Sequence, residues 1–123
     1  MNETNEPKFD WSQAASLLGD DPSQVAEDMA EIVRELVESA EVQFKELKAK
    51  KIQTEKKEIG AIAHQLRGCL LNFGFDEVGG ILLHVEKDDY PESEYLYLLD
   101  KAQVAFVASK KMLATRYPTL GIS

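Results

Sequence analysis

The sequence predicts an all-α protein: an antiparallel, up-down-up-down four-helix bundle with a short additional helix at its N-terminal end. Three observations predict this class. Apolar residues recur at three- and four-residue spacing through four long segments. No segment alternates apolar and polar positions with β-branched residues, as a half-buried strand would. Gly19, Pro22, Gly74, Pro91 and Pro118 punctuate the chain so that the connectors are short. With 123 residues, 44% hydrophobic and 29% charged, the chain suits one domain around one core. It carries no internal repeat and no low-complexity tract.

The elements follow in order. Residues 1–8 are polar and expected to be a flexible N-terminus, with the helical domain spanning 9–123. FDWSQAASLLG predicts a short helix capped by Ser12 and ended by Gly19, with Phe9 and Trp11 anchoring it to the bundle. A long helix is expected to open at Asp20-Asp21-Pro22, with Asp21 as cap, Pro22 at the first helical position and Gln24 completing a capping box. Val25, Met29, Ile32, Val33, Leu36, Val37, Ala40, Phe44 and Leu47 define its buried face. The basic run KELKAKK at its end meets the negative end of the helix dipole and reads as a solvated face.

Thr54 and Glu55 are expected to start the next helix, which buries Ile59, Ile62, Ala63, Leu66, Leu70 and Phe73 before Gly74 ends it. Asp76 is expected to cap a fourth segment with Val78, Ile81, Leu82 and Val85 inside. After Pro91, a last long helix buries Tyr95, Leu99, Ala102, Phe106 and Leu113 and stops before Pro118.

Composition excludes several function classes. The net charge of -8 disfavours nucleic-acid backbones and anionic membrane surfaces as partners, since both demand clustered Lys and Arg. Cys69 is the single cysteine, so neither an intramolecular disulfide nor a cysteine-built metal site is expected. The start MNETNEPKFDW is unlike a secretory signal and no apolar run reaches the length of a membrane span, which predicts a cytoplasmic protein. No Glu-x-x-His pair suggests a di-iron bundle, and GFDEVGG lacks the Lys-Ser/Thr ending of a phosphate loop.

The segment AIAHQLRGCLLNFGF carries the chemistry. At about 100° per residue, His64 falls roughly 150° from the centre of its helix's apolar face and is therefore expected to point outward. Gly60, Ala61, Arg67 and Gly68 lie three or four positions away on the same outer face, with Leu71 a turn further on. Two interior glycines forgo on the order of 1–2 kcal/mol of helix stability, which suggests that space around the imidazole is needed. Neutral imidazole is a competent nucleophile near neutral pH, and Arg67 adds a fixed positive charge for an anion carried there. An ordinary exposed histidine would occupy the same position. Cys69 is expected at the edge of the buried face as a small packing residue. His84, with Gly79 and Gly80 a turn earlier, flanks the buried face of its own helix; Gly79, Gly80, Leu83 and Lys87 are expected to face outward.

These residues resemble the histidine-containing phosphotransfer (HPt) family of multistep His-Asp phosphorelays. The family's pattern runs histidine, one residue, an apolar residue, lysine, glycine, then small residues and an apolar-glycine pair. Here AHQLRGCLLNFGF supplies His64, Leu66, Arg67, Gly68 and the closing Phe73-Gly74. FDW, the LLGDD turn, the long acidic helix and the helix after Gly74 follow the family's order over nearly the whole chain. Arg67 stands where Lys is usual, and Cys69 and Leu70 stand where Ser or Ala is common.

The resemblance implies a carrier, not an enzyme: His64 accepts a phosphoryl group from a receiver-domain aspartate and passes it to another receiver. Arg67 would stabilise the phosphate, and Gly60, Ala61, Gln65, Gly68, Leu71 and Leu83 would dock the partner. The implied partners are response-regulator receiver domains and a hybrid histidine kinase. No cofactor is expected on this chain; Mg²⁺ is expected in the receiver. The alternative is a helical adaptor that binds a signalling partner without being phosphorylated.

Overall fold

In the computed structural model, which describes residues 6–87 and 89–122, all regular structure is helical. The elements are α1 (Trp11–Leu18), α2 (Glu27–Ala49), α3 (Lys56–Asn72), α4 (Asp76–Lys87) and α5 (Glu92–Arg116), closed by a 3-10 turn at Pro118–Leu120. The α3–α4 and α4–α5 pairs make the largest contacts, and α2 packs on both α3 and α5. Among the described residues no helix is long and apolar enough to cross a membrane.

The apolar periodicity becomes one continuous core. Phe44 and Leu47 of α2 meet Ile59, Leu66 and Leu70 of α3, Leu82 and Val85 of α4, and Leu99, Phe106 and Leu113 of α5, all essentially without solvent contact. Each such side chain stabilises the fold by about 1.5–3 kcal/mol relative to exposure. Phe106 stacks on Phe75 at 5.7 Å between ring centroids and tilts against Phe44 at 5.6 Å, which ties the α3–α4 turn to α2 through α5. Tyr95 is buried with its hydroxyl donating to the Leu47 carbonyl at the end of α2. Burial, with Tyr90 and Glu55 nearby, pushes its phenol well above the usual range, so it remains a neutral donor.

Several helix ends differ from expectation. Asp10, not Ser12, caps α1: its carboxylate accepts from the Gln13 backbone N–H at 3.1 Å and from the Ser12 hydroxyl at 2.7 Å. Those two hydrogen bonds, Ser12 first, hold the Asp10 carboxyl below its ordinary value. α2 begins at Glu27 instead of Pro22. Asp21 folds its own neighbours into a turn, accepting from the Ser23 N–H and hydroxyl through Oδ1 and from the Gln24 N–H through its carbonyl. A short polar side chain that bonds its own backbone competes with helix nucleation, and here it wins. Ile32, expected inside, is 46% exposed.

α3 begins at Lys56 with Glu55, not Thr54, at its N-cap and no side-chain capping bond; the Glu55 carboxylate accepts instead from the Lys51 N–H. α4 takes Asp76 as its own first residue. Burial and the nearby Asp10 charge raise the Asp76 carboxyl. The expected loose segment falls partly on residues 1–5, outside the described residues. Lys8 is hydrogen-bonded to α4: its N–H donates to Glu77 Oε1 and its carbonyl accepts from the Glu77 N–H.

Gly74 has φ +96, and a Cβ there would lie 2.5 Å from the Asp10 carbonyl oxygen. Both the left-handed backbone and the close approach of the N-terminal segment require glycine. The turn it makes sends α4 back along α3, so that Gly79 meets Leu71 near one end and Glu86 meets Gly60 near the other.

Candidate functional site

The site is built across the packed pair α3 and α4. A Cβ on Gly79 would sit 2.5 Å from Leu71 Cδ2, and one on Gly60 would sit 3.7 Å from the Glu86 carbonyl oxygen. At Gly79 a side chain would displace Leu71, so glycine sets the spacing of α3 and α4 there, whereas at Gly60 a Cβ would make only ordinary van der Waals contact. Glu86, near the C-terminal end of α4, can then reach the outer face of α3.

His64 projects outward from the middle of α3, with 67% of its side chain exposed. Its Nδ1 lies 2.9 Å from Glu86 Oε2. Arg67, one turn further along α3, reaches the other oxygen of the same carboxylate, with Nη2 3.1 Å and Nε 3.3 Å from Oε1. Arg67 Nη2 also comes within 3.5 Å of His64 Nδ1, and Lys87 Nζ within 3.5 Å of Glu86 Oε2. Glu86 is the hub, its side chain only 11% exposed. Burial pulls its carboxyl upward, but the hydrogen bonds from His64 and Arg67 and the charges of His64 and Lys87 together hold it below its ordinary value. It is an anion under ordinary conditions.

An anionic oxygen 2.9 Å from Nδ1 decides the tautomer. A lone pair on Nδ1 would face a second lone pair, whereas an N–H there donates a charge-assisted hydrogen bond. The neutral ring therefore carries its proton on Nδ1 and its free electron pair on Nε2. The carboxylate also offsets the positive charge that the ring gains if Nε2 bonds to an electrophile.

The remaining expected site residues divide. Ala61, Gln65 and Gly68 are exposed on the His64 face, and a Cβ on Gly68 would meet nothing within 4 Å. Gly60 is half-buried beside Glu86. Leu83 is 41% exposed on α4 and joins Gly80 and His84 on the outer surface. Leu71 does not stand outward as the helical register predicted: it is half-buried, seated in the space left by Gly79. Gly79 is correspondingly buried, not outward. Cys69, expected as a packing residue, is exposed.

Glu86 is the member that sequence reasoning missed, since it lies on a different helix. Its signal was present in register: the antiparallel pairing that sets Leu71 against Gly79 also sets His64 against Glu86, about two turns along each helix.

Among the described residues no group of three or more His, Cys, Asp or Glu side chains comes together to hold a metal ion. A cleft of about 580 Å³ lies elsewhere, between Pro7 and Trp11 on one side and Ala108, Met112 and Arg116 on the other. The face of α3 around His64 is open to solvent. No protein-family model matches the chain, and searches of curated proteins and of solved structures return no match either.

Proposed function

We propose that the protein is a histidine-containing phosphotransfer carrier acting in the cytoplasm, in which His64 relays a phosphoryl group between response-regulator receiver domains. The observation that carries this reading is the 2.9 Å contact between His64 Nδ1 and Glu86 on an exposed helix face. It leaves Nε2 as the nucleophilic nitrogen on an imidazole that a partner can reach.

In the proposed transfer the Nε2 electron pair attacks phosphorus of the receiver's aspartyl phosphate. The N–P bond forms, the P–O bond to aspartate breaks, and the aspartate leaves as a carboxylate. The Nδ1 proton stays on the ring, shared with Glu86, while the ring becomes cationic. The receiver supplies the acidic pocket and Mg²⁺, which offsets charge on the transferring group. Arg67 supplies a fixed cation one turn from the imidazole.

Ala61, Gln65, Gly68 and Leu83 form the docking surface of this reading, and Gly60 lies beside the Glu86 backbone. The architecture that goes with it is an up-down-up-down bundle of α2 to α5 with α1 added at one end. The cyclic contacts α2–α3, α3–α4, α4–α5 and α5–α2 and the short connectors support that topology.

The test is phosphoryl transfer from radiolabelled phospho-receivers with Mg²⁺ to the wild type and to His64→Gln. Acid-labile, alkali-stable label on the wild type alone is the expected result. Binding to a receiver without label, unchanged in His64→Gln, would leave a non-phosphorylated helical adaptor as the function.

A further inference from the structure

A helix whose apolar residues are gathered on one face needs cover on that face alone, and α5 instead spreads its apolar residues around its circumference. Its inner face is buried through Tyr95, Leu99, Ala102, Phe106 and Leu113. Its outer face nevertheless carries Tyr97, Val104 and Val107, exposed to 61%, 70% and 53%. With Leu96, α5 holds four of the seven large hydrophobic side chains that stand exposed among the described residues.

The outer residues are ordered. Tyr97, Asp100, Val104, Val107, Lys111 and Ala114 follow one another at alternating spacings of three and four, the seam pattern of a helix that pairs with another helix. All are exposed except Ala114, which is half-buried. The sequence along the seam is also self-complementary when reversed.

We propose that this seam pairs antiparallel with the same seam of a second copy, making an isologous dimer about a two-fold axis between Val104 and Val107. In that register Val104 of each copy meets Val107 of the other, and Asp100 of each meets Lys111 of the other. Tyr97 lies over the small Ala114. Apolar residues thus meet apolar, the acid meets the base, and the bulky ring meets the small side chain, each twice by symmetry. A parallel pairing would instead set Asp100 on Asp100 and Lys111 on Lys111, so charge selects the antiparallel arrangement. Within one chain Asp100 already contacts Lys48 at 3.1 Å but keeps 70% of its side chain exposed, so its carboxylate retains room for a second cation.

The dimer would not cover His64. α3 packs on α4 and α2, while α5 makes its main contacts with α4, α2 and the C-terminal 3-10 turn, so the seam lies on a different helix from the candidate site. The proposal stands independently of the phosphotransfer reading.

Sedimentation equilibrium of the full chain over a wide concentration range, with far-UV circular dichroism as a fold check, tests it. The wild type is expected to dimerise reversibly. Val104→Glu, at an outward position, is expected to weaken the dimer by about tenfold or more while keeping the helical spectrum. Asp100→Lys and Lys111→Asp are each expected to weaken it, and the combined charge swap to restore it. A wild type that stays monomeric into the millimolar range would assign the face to some other occupant and overturn the proposal. A dimer indifferent to Val104→Glu, or one whose single charge variants are not rescued by the swap, would equally overturn the seam.

Discussion

The two sides of this helical fold are held together by different means. Where α2 faces α5, large side chains fill the space: Phe44 against Phe106, and the Tyr95 hydroxyl on the last turn of α2. Where α3 faces α4, part of the space is removed instead, because Gly79 leaves room for Leu71. The first side gains stability from buried area. The second gives some of that up in helix propensity, and in exchange brings a carboxylate of one helix within hydrogen-bond range of an imidazole and a guanidinium on the other. The difference separates a side that stabilises from a side that positions.

The sharpest way to break this distinction is to damage each side in turn. Phe44→Ala should lower stability by about 3–5 kcal/mol through lost burial and a residual cavity. Denaturant titration would measure that loss. In the fraction that remains folded, the His64–Glu86 contact should be unchanged. Gly79→Val should cost less, about 1–3 kcal/mol from overpacking against Leu71. It should nevertheless disturb the His64 resonances by NMR more than Phe44→Ala does, because it wedges the helices that carry the trio apart.

Glu86→Gln keeps the shape of the hub and removes its charge. We expect a stability loss of about 1 kcal/mol at neutral pH, and slower phosphoryl acceptance by on the order of 10- to 100-fold, as for other partners that fix a ring tautomer. The pH dependence has a definite sign. The folded-state Glu86 carboxyl lies below its ordinary value of 4.5, so the stabilisation is present above that value and is lost as pH falls through the lower folded-state value. An acid unfolding series should show Glu86→Gln converging with wild type at the acid end and diverging toward neutral pH. Gly68→Ala is the smallest effect and has the opposite direction. Its Cβ would meet nothing within 4 Å, so the variant should gain about 0.5–1 kcal/mol of stability. A slower transfer to a receiver in that more stable variant would show that the glycine serves access.

Burial was legible from periodicity on both sides, because it is written locally in each helix. Phe44, Leu66, Leu82, Phe106 and their neighbours fall inside as the three-and-four spacing predicts. The outward direction of His64 was legible for the same reason. Glu86 was not, because its role depends on how two helices are offset, and that offset is set by Gly74, Gly79 and Leu71 acting together. Leu71 and Cys69 show the limit of a wheel projection: it ranks positions around one helix but does not know where the neighbour lies. The late start of α2 has another cause. Asp21 and Ser23 carry equally good signals for a helix cap and for a local turn, and the hydrogen bonds favour the turn.

The central claim is that Glu86 holds the Nδ1 proton of His64 and leaves the Nε2 electron pair to the outside. Long-range proton–nitrogen correlation NMR on histidine-labelled protein at alkaline pH measures this directly. The account predicts a protonated Nδ1 and an unprotonated Nε2 for His64, with Glu86→Gln shifting the population toward the other tautomer. A His64 ring protonated at Nε2 in the wild type, or a tautomer mixture indifferent to Glu86→Gln, would contradict it.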